Sequence, residues 1–290
     1  MLLQFITNGI ITGLLYSLLA IGFALVYNTT KVFHLAAAGL YVVAAYAFFM
    51  FVSLCHIPLL PGALFAIITT MLFSLLTEIT VYRPLSRKNA PTSFSLIAAV
   101  GLLTILVNLV AMIFGNAPKV VENSLKKTYT LSDSLIISQP QVWQAVIGII
   151  AITVFFVFIH QTSWGKRFRA ISDDDVLYST LGYSTSTTRN LAFLLSGAFI
   201  SLSACLNVYE VGMDPNMGMS ILINALAAMI IGGIGRFDAC VLGGVSLGLI
   251  QSLILFKMPS SWQSGVTFVI LLLFLFVRPQ GIVGYKQRTV

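Results

Sequence analysis

Apolar positions run through this chain in blocks of about twenty residues, separated by short polar punctuation. The first block carries no charge from Leu2 to Thr30. At a helical rise of about 1.5 Å per residue it is long enough to cross a hydrocarbon core of about 30 Å. Only Lys31 interrupts charge-free sequence between Leu2 and Thr77, so the part after it is too long for one crossing. Pro58, Pro61 and Gly62, next to His56, supply a break and predict spans near 33–54 and 59–78. Further apolar blocks lie near 92–115, 142–160, 190–211, 219–235, 239–256 and 260–277. The pattern predicts an all-α polytopic transmembrane helical bundle of about nine spans, or about eight if the short, glycine-ended 219–235 block is re-entrant. One membrane domain is expected to cover residues 1–290, with a long connector at 116–141 and a second at 161–189. The N-terminal block lacks a basic leader and is expected to be an uncleaved first helix.

Composition agrees with this pattern. Hydrophobic residues make up 58% and charged residues 9% of 290 positions, against roughly 45–50% and about 25% in soluble domains. The net charge of +7 is spread over short connectors instead of one face, which argues against nucleic acid and for the positive-inside rule. With 161–189 placed inside and the spans alternating outward, Lys31, Arg83, Arg87, Lys88, Lys166, Arg167, Arg169, Arg189, Arg236, Arg278, Lys286 and Arg288 fall inside. Only Lys119, Lys126, Lys127 and Lys257 fall outside. Twelve cations against four orient the chain with its N-terminus outside and its C-terminus inside. The external 116–141 connector has the Thr, Tyr, Ser and Ile mixture of a loop with one or two short strands. Cys55, Cys205 and Cys240 each stand alone in apolar sequence and read as small core residues, without metal-type spacing.

Between Gln161 and Arg189 the composition changes to that of a soluble protein. A connector of this size exceeds what a turn requires and suits a docking element. Ser172 before Asp173, Asp174 and Asp175, with Gly182 after Leu181, predicts a short helix over about 173–181 with an N-cap and a C′ glycine. Successive aspartates fan about 100° apart on a helix and do not converge on one ion, so capping is the favoured reading and no metal site is expected. Phe168, Ile171, Tyr178 and Leu181 form a candidate apolar stripe, flanked by Lys166, Arg167 and Arg169. Such a stripe is the pattern expected of a helix pressed into a groove on a partner, with a helix lying on a membrane surface as the alternative.

On the first helix Gln4, Asn8, Thr12 and Tyr16 recur every four residues beside the small residues Gly9, Gly13 and Ser17. Both close helix packing and a polar stripe along a solute path fit that arrangement. His34 is a further candidate for the path, or a cap at the start of the second span. Glu78, near Arg83, reads as an interfacial anchor or ion pair. Gly232, Gly233, Gly235, Gly243, Gly244 and Gly248 predict a tight turn followed by a close-packing seam. No apolar block has a carboxylate near its middle, so the proton or sodium relay of many secondary transporters is not visible. No nucleotide-binding P-loop pattern occurs either, and no nucleophile, base and orienting group recur at one depth as an enzyme requires.

Taken in order, several motifs resemble the H-type permease of the branched-chain amino-acid ABC importers, over nearly the whole chain. They are Asn8-Gly9 with Gly13, Tyr16 and Gly22, Tyr82-Arg83-Pro84-Leu85, and Gly101, Asn108 and Gly115. Later come Gly165 through Ala170 leading to Gly182, Met217-Gly218, Gly232-Gly233-Ile234-Gly235, Gly243-Gly244 and Arg278-Pro279-Gln280-Gly281-Ile282-Val283-Gly284. The resemblance implies a non-enzymatic permease subunit in a bacterial-type inner membrane, moving branched-chain or related amino acids or small amide-like solutes. It implies no cofactor in this chain, since ATP and magnesium belong to partner ATPase subunits. It also implies a second homologous permease and an external solute-binding protein, and assigns ATPase coupling to Gly165–Gly182. His34-Leu35-Ala36-Ala37-Ala38 departs from the family's usual N-F-A-H-G, and Arg236, Asp238 and Cys240 replace small or apolar residues. The alternative function is an ATP-independent channel or secondary carrier for a small polar solute.

Overall fold

The computed structural model describes residues 2–88, 90–121, 128–132, 135–233, 235–256, 259, 262–278 and 281–282. Lys126, Lys127, Lys257, Lys286 and Arg288 of the charge asymmetry lie outside these residues, as do Ile234, Pro279, Gln280, Val283 and Gly284 of the motifs.

The apolar blocks fold as helices. They are α1 (Leu2–Thr30), α2 (Ala37–Phe49, continued by a π-helical turn Met50–Leu54) and α3 (Leu59–Thr77, continued by a π-helical turn Glu78–Tyr82 into α4, Arg83–Arg87). Next come α5 (Thr92–Phe114), strands β1 (Thr128–Ser132) and β2 (Leu135–Ser138), and α6 (Gln139–Gln161). The charged segment holds α7 (Ser163–Asp173) and α8 (Asp175–Thr180), and α9 (Thr185–Val211), α10 (Met217–Gly232), α11 (Phe237–Leu255) and α12 (Gln263–Val277) follow.

Among the described residues seven helical rods are long and apolar enough to cross a membrane, while α10 and α12 are shorter apolar helices. The break after the second span lies where Pro58 begins α3 in extended conformation and His56 adopts φ +54°. The second span itself begins at Ala37 instead of 33, because residues 32–36 fold as turns. The long connector carries the expected strands, an antiparallel pair with Thr128 opposite Ser138 and Thr130 opposite Ile136. Cys205 and Cys240 are buried as core residues, but Cys55 is exposed at the break after the second span.

The chain divides into two compact units. One comprises Met1–Ala24, Asn123–Ile152 and Ile223–Val290, and the other Leu25–Glu122 and Thr153–Leu222. In the first unit, α1 crosses α11 at a glycine seam. A Cβ on Gly13 would stand 2.8 Å from the Val245 Cα, and one on Gly9 would stand 3.1 Å from the Gly248 carbonyl oxygen. Only residues without side chains let two backbones approach this closely. The second unit packs α3 on α9 in the same way: a Cβ on Gly197 would lie 3.0 Å from the Met71 Cα, and Ser74 donates to the Phe193 carbonyl at 2.6 Å. Its core gathers Val42, Tyr46, Phe48, Val110, Val208 and Met213. α3, α5 and α6 keep large apolar side chains exposed, such as Leu64, Ile97, Met112 and Val154, as helices facing lipid require.

Candidate functional site

The charged segment of the second unit is built from two capped helices. Thr162 opens α7, its hydroxyl accepting from the Gly165 N–H at 3.1 Å. Gly165 is buried so tightly that a Cβ would run into the carbonyl of Ile159. Phe168 and Ile171 are buried, and the Phe168 ring lies 6.1 Å from that of Phe158. Arg167 stacks over Trp164 and Tyr183 at 4.5 and 5.4 Å, leaving Lys166 and Arg169 exposed.

The expected single helix over 173–181 is replaced by a break at Asp174, whose extended backbone (φ −152°, ψ 111°) ends α7 and caps α8. Its Oδ1 accepts from the Val176 and Leu177 N–H groups, both at 2.9 Å. Asp174, not Ser172, is therefore the N-cap, and Asp173 belongs to the end of α7. A residue in extended conformation with a carboxylate satisfies the orphan amides of the first turn. The C′ glycine holds, with Gly182 at φ +85° following the cap Leu181.

The apolar stripe is corrected by the same break. Phe168, Ile171 and Tyr178 are buried in the chain's own unit, whereas Leu181 is 67% exposed. Exposed alongside it are Val176, 67%, and Leu177, 57%. Three side chains anchor the segment, and a different apolar set faces outward. The Tyr178 hydroxyl lies 2.8 Å from Thr188 Oγ1 on α9, and its ring stacks on Tyr183 at 5.2 Å. From the far side Lys31 donates to the Ser172 carbonyl at 2.6 Å, adding a cation where the helix needs one. Partial burial holds the Lys31 ammonium below the usual lysine range, with Asp175 and Asp173 pulling the other way.

Beside Thr188 stands Arg189. Its Nε lies 3.0 Å from Glu78 Oε1, and its Nη1 donates to Ser86 Oγ at 2.8 Å. Glu78 thus forms an ion pair, one of the two roles its position suggests, with a partner from α9 that spacing does not fix, while Arg83 reaches Asn190 at 3.4 Å. Glu78 sits in the π-helical turn, a distortion frequent at functional sites. His34 is fully buried, its Nδ1 2.8 Å from the Tyr82 hydroxyl and its ring edge-on to Phe193 at 5.2 Å.

In the first unit the polar stripe of α1 divides in its roles. The Gln4 carboxamide mimics a strand, donating to the Ile136 carbonyl at 2.7 Å and accepting from the Ile136 N–H at 2.9 Å. It also reaches Asn8 at 3.3 Å. Thr12 is half-buried. Tyr16 is buried, its hydroxyl donating to Gln251 Oε1 at 2.9 Å and accepting from Asn224 Nδ2 at 3.2 Å and Gln263 Nε2 at 3.3 Å. Gln251 donates to Asn224 Oδ1 at 3.1 Å and to Thr267, and Thr267 closes the ring on Asn224 Oδ1 at 2.9 Å. Five polar side chains from α1, α10, α11 and α12 thus satisfy one another away from water, as amides buried among apolar helices must.

The glycines occupy close contacts and turns. Gly244 and Gly248 admit α1, while Gly232 and Gly243 press α10 against α11. Gly233 and Gly235 turn the chain at φ +130° and +96°. Gly281 packs on Gly233, and Ile282 donates to the Ile231 carbonyl at 2.8 Å.

Asn224, Gln251, Gln263, Thr267 and the Glu78–Arg189 pair were not singled out together by spacing. The available signal was an amide inside an apolar block, which is rare in membrane helices.

A family described as branched-chain amino acid transport system, permease component, matches residues 5–275. The high-affinity branched-chain amino acid transport system permease protein BraD of Pseudomonas aeruginosa is 28% identical over 298 residues, covering 98% of this chain and 96% of that protein. LivH of Escherichia coli, described in the same terms, is 27% identical over 300 residues, with the same coverage. Among solved structures, PsaBC from Streptococcus pneumoniae in complex with Fab shares the fold at a TM-score of 0.54 and 14% identity, covering 96% of this chain and 93% of that one. By the extent of the family match, the chain belongs to the branched-chain amino acid transport permeases.

Proposed function

We propose that this chain is the membrane subunit of an ATP-driven importer for branched-chain or related amino acids, with a partner ATPase docked on α7 and α8. The observation that carries the reading is the outward apolar set Val176, Leu177 and Leu181 on a helix whose other face is fixed by buried Tyr178. A docking surface that transmits force needs such a combination: an exposed contact and a stiff attachment. The attachment runs from Tyr178 to Thr188 and, one residue on, from Arg189 to Glu78. Movement of α8 would therefore reach α9 and the π-helical turn through short polar contacts. ATP binding by the partner can drive transport only if the partner contacts this segment differently in its two nucleotide states.

ATP and magnesium belong to the partner in this reading, and a second permease and an external solute-binding protein complete the importer in a bacterial inner membrane. Selection of the cargo falls largely to the binding protein. The test is purification of the tagged chain from its own membrane in mild detergent, with partners identified by mass spectrometry and uptake of radiolabelled leucine measured in the same cells. Recovery of an ATPase that Leu177→Asp eliminates, with uptake lost, supports the reading. Recovery of the chain alone, with solute flux in vesicles lacking ATP, would overturn it.

A further inference from the structure

In the second unit a cleft of about 140 Å³ opens between α4 and the first turns of α9. Arg83, Arg87 and Arg189 line it, together with the hydroxyls of Ser86, Thr185 and Ser186. Glu78 also reaches the wall, but both of its carboxylate oxygens are taken by Arg189, at 3.0 Å to Nε and 3.4 Å to Nη2. Three guanidinium groups against one paired carboxylate leave two positive charges, and the hydroxyls can turn their protons inward. Thr185 and Ser186 begin the 27-residue α9, whose positive dipole end adds to the same field. At about 30 Å³ per water the space holds about four or five waters, enough for one tetrahedral anion. Guanidinium forks match the oxygens of phosphate bidentately.

We propose that this cleft binds a single phosphate group. That group is carried either by the headgroup of an anionic lipid or by the free ion. The proposal stands apart from the transport reading, because its readout needs neither cargo nor partner.

The test uses the full chain in uncharged detergent at fixed ionic strength. Its melting temperature is recorded with added phosphatidylglycerol, with phosphatidylcholine, or with inorganic phosphate in exchange for chloride. Phosphatidylglycerol is expected to raise the melting temperature by several degrees and phosphatidylcholine to leave it unchanged. A matching rise with inorganic phosphate identifies the free ion as a sufficient ligand; a rise with the lipid alone assigns the headgroup. The increment should vanish in Arg83→Ala/Arg87→Ala and shrink in Arg87→Ala, whose exposed side chain can be removed without disturbing the fold. It should persist in Lys88→Ala, which removes a neighbouring charge outside the cleft. No shift with either anionic probe, or an undiminished shift in the arginine variants, overturns the proposal.

Discussion

Glu78 and Arg189 meet at 3.0 Å with the carboxylate side chain 1% exposed, tying the π-helical turn after α3 to the start of α9. Thr188, the residue before Arg189, shares a hydrogen bond with the Tyr178 hydroxyl at 2.8 Å. Two consecutive residues of α9 thus hold the charged segment on one side and the distorted end of α3 on the other.

Breaking this pair from one side should be costly, since it leaves a largely buried charge without its partner. Glu78→Ala is expected to destabilise the chain by about 3–5 kcal/mol. The Glu78→Ala/Arg189→Ala double variant should recover part of that loss. Thermal unfolding of Glu78→Ala, Arg189→Ala and the double variant in detergent gives the coupling energy directly, and strict additivity would contradict it.

The two apolar sets of the charged segment should separate by experiment. Phe168→Asp and Ile171→Asp place an unpaired charge in a packed interior and should lose folded protein, a change costing several kcal/mol, on the order of 4 or more. Leu177→Asp and Leu181→Asp change exposed side chains and should leave melting within about 0.5 kcal/mol of the parent, while abolishing co-purification of an ATPase. Size-exclusion profiles distinguish the two classes before any transport assay.

At the glycine seam, Gly13→Leu should prevent α1 from reaching α11, because the first added carbon already stands 2.8 Å from the Val245 Cα. The expected cost is about 3 kcal/mol, at the upper end of overpacking. Gly101→Ala, with nothing within 4 Å of the added Cβ, should be neutral or slightly stabilising by propensity. Parallel melting curves of the two variants make the comparison.

The five-membered polar ring predicts a smaller effect. Tyr16→Phe removes the hydroxyl that serves Gln251, Asn224 and Gln263 and should cost about 1–2 kcal/mol, as expected for a membrane hydrogen bond lost with partners left unpaired. Thr267→Val should cost a similar amount, and the double variant less than the sum, since both act in one network. Denaturation of the purified chain tests the shortfall.

What the sequence determined by itself was the one-dimensional layout. Block length separated spanning helices from connectors, Pro58 and His56 marked a break, Gly182 marked a helix end, and the Gly9/Gly13 and Gly244/Gly248 stripes offered faces on which helices can pack closely. Each depends on neighbours within a few residues, where backbone geometry and periodicity act. The tertiary structure decided which groups meet. Glu78 pairs with Arg189, 111 positions away, and Tyr16 finds partners on three helices more than 200 residues distant. It also decided which face of the charged segment is the outer one. Helical spacing puts Phe168, Ile171 and Tyr178 in one stripe, yet only packing against the chain's own helices tells whether a stripe is an anchor or a docking face. The break at Asp174, whose carboxylate satisfies the first amides of α8, comes with Leu181 on the outside, 67% exposed.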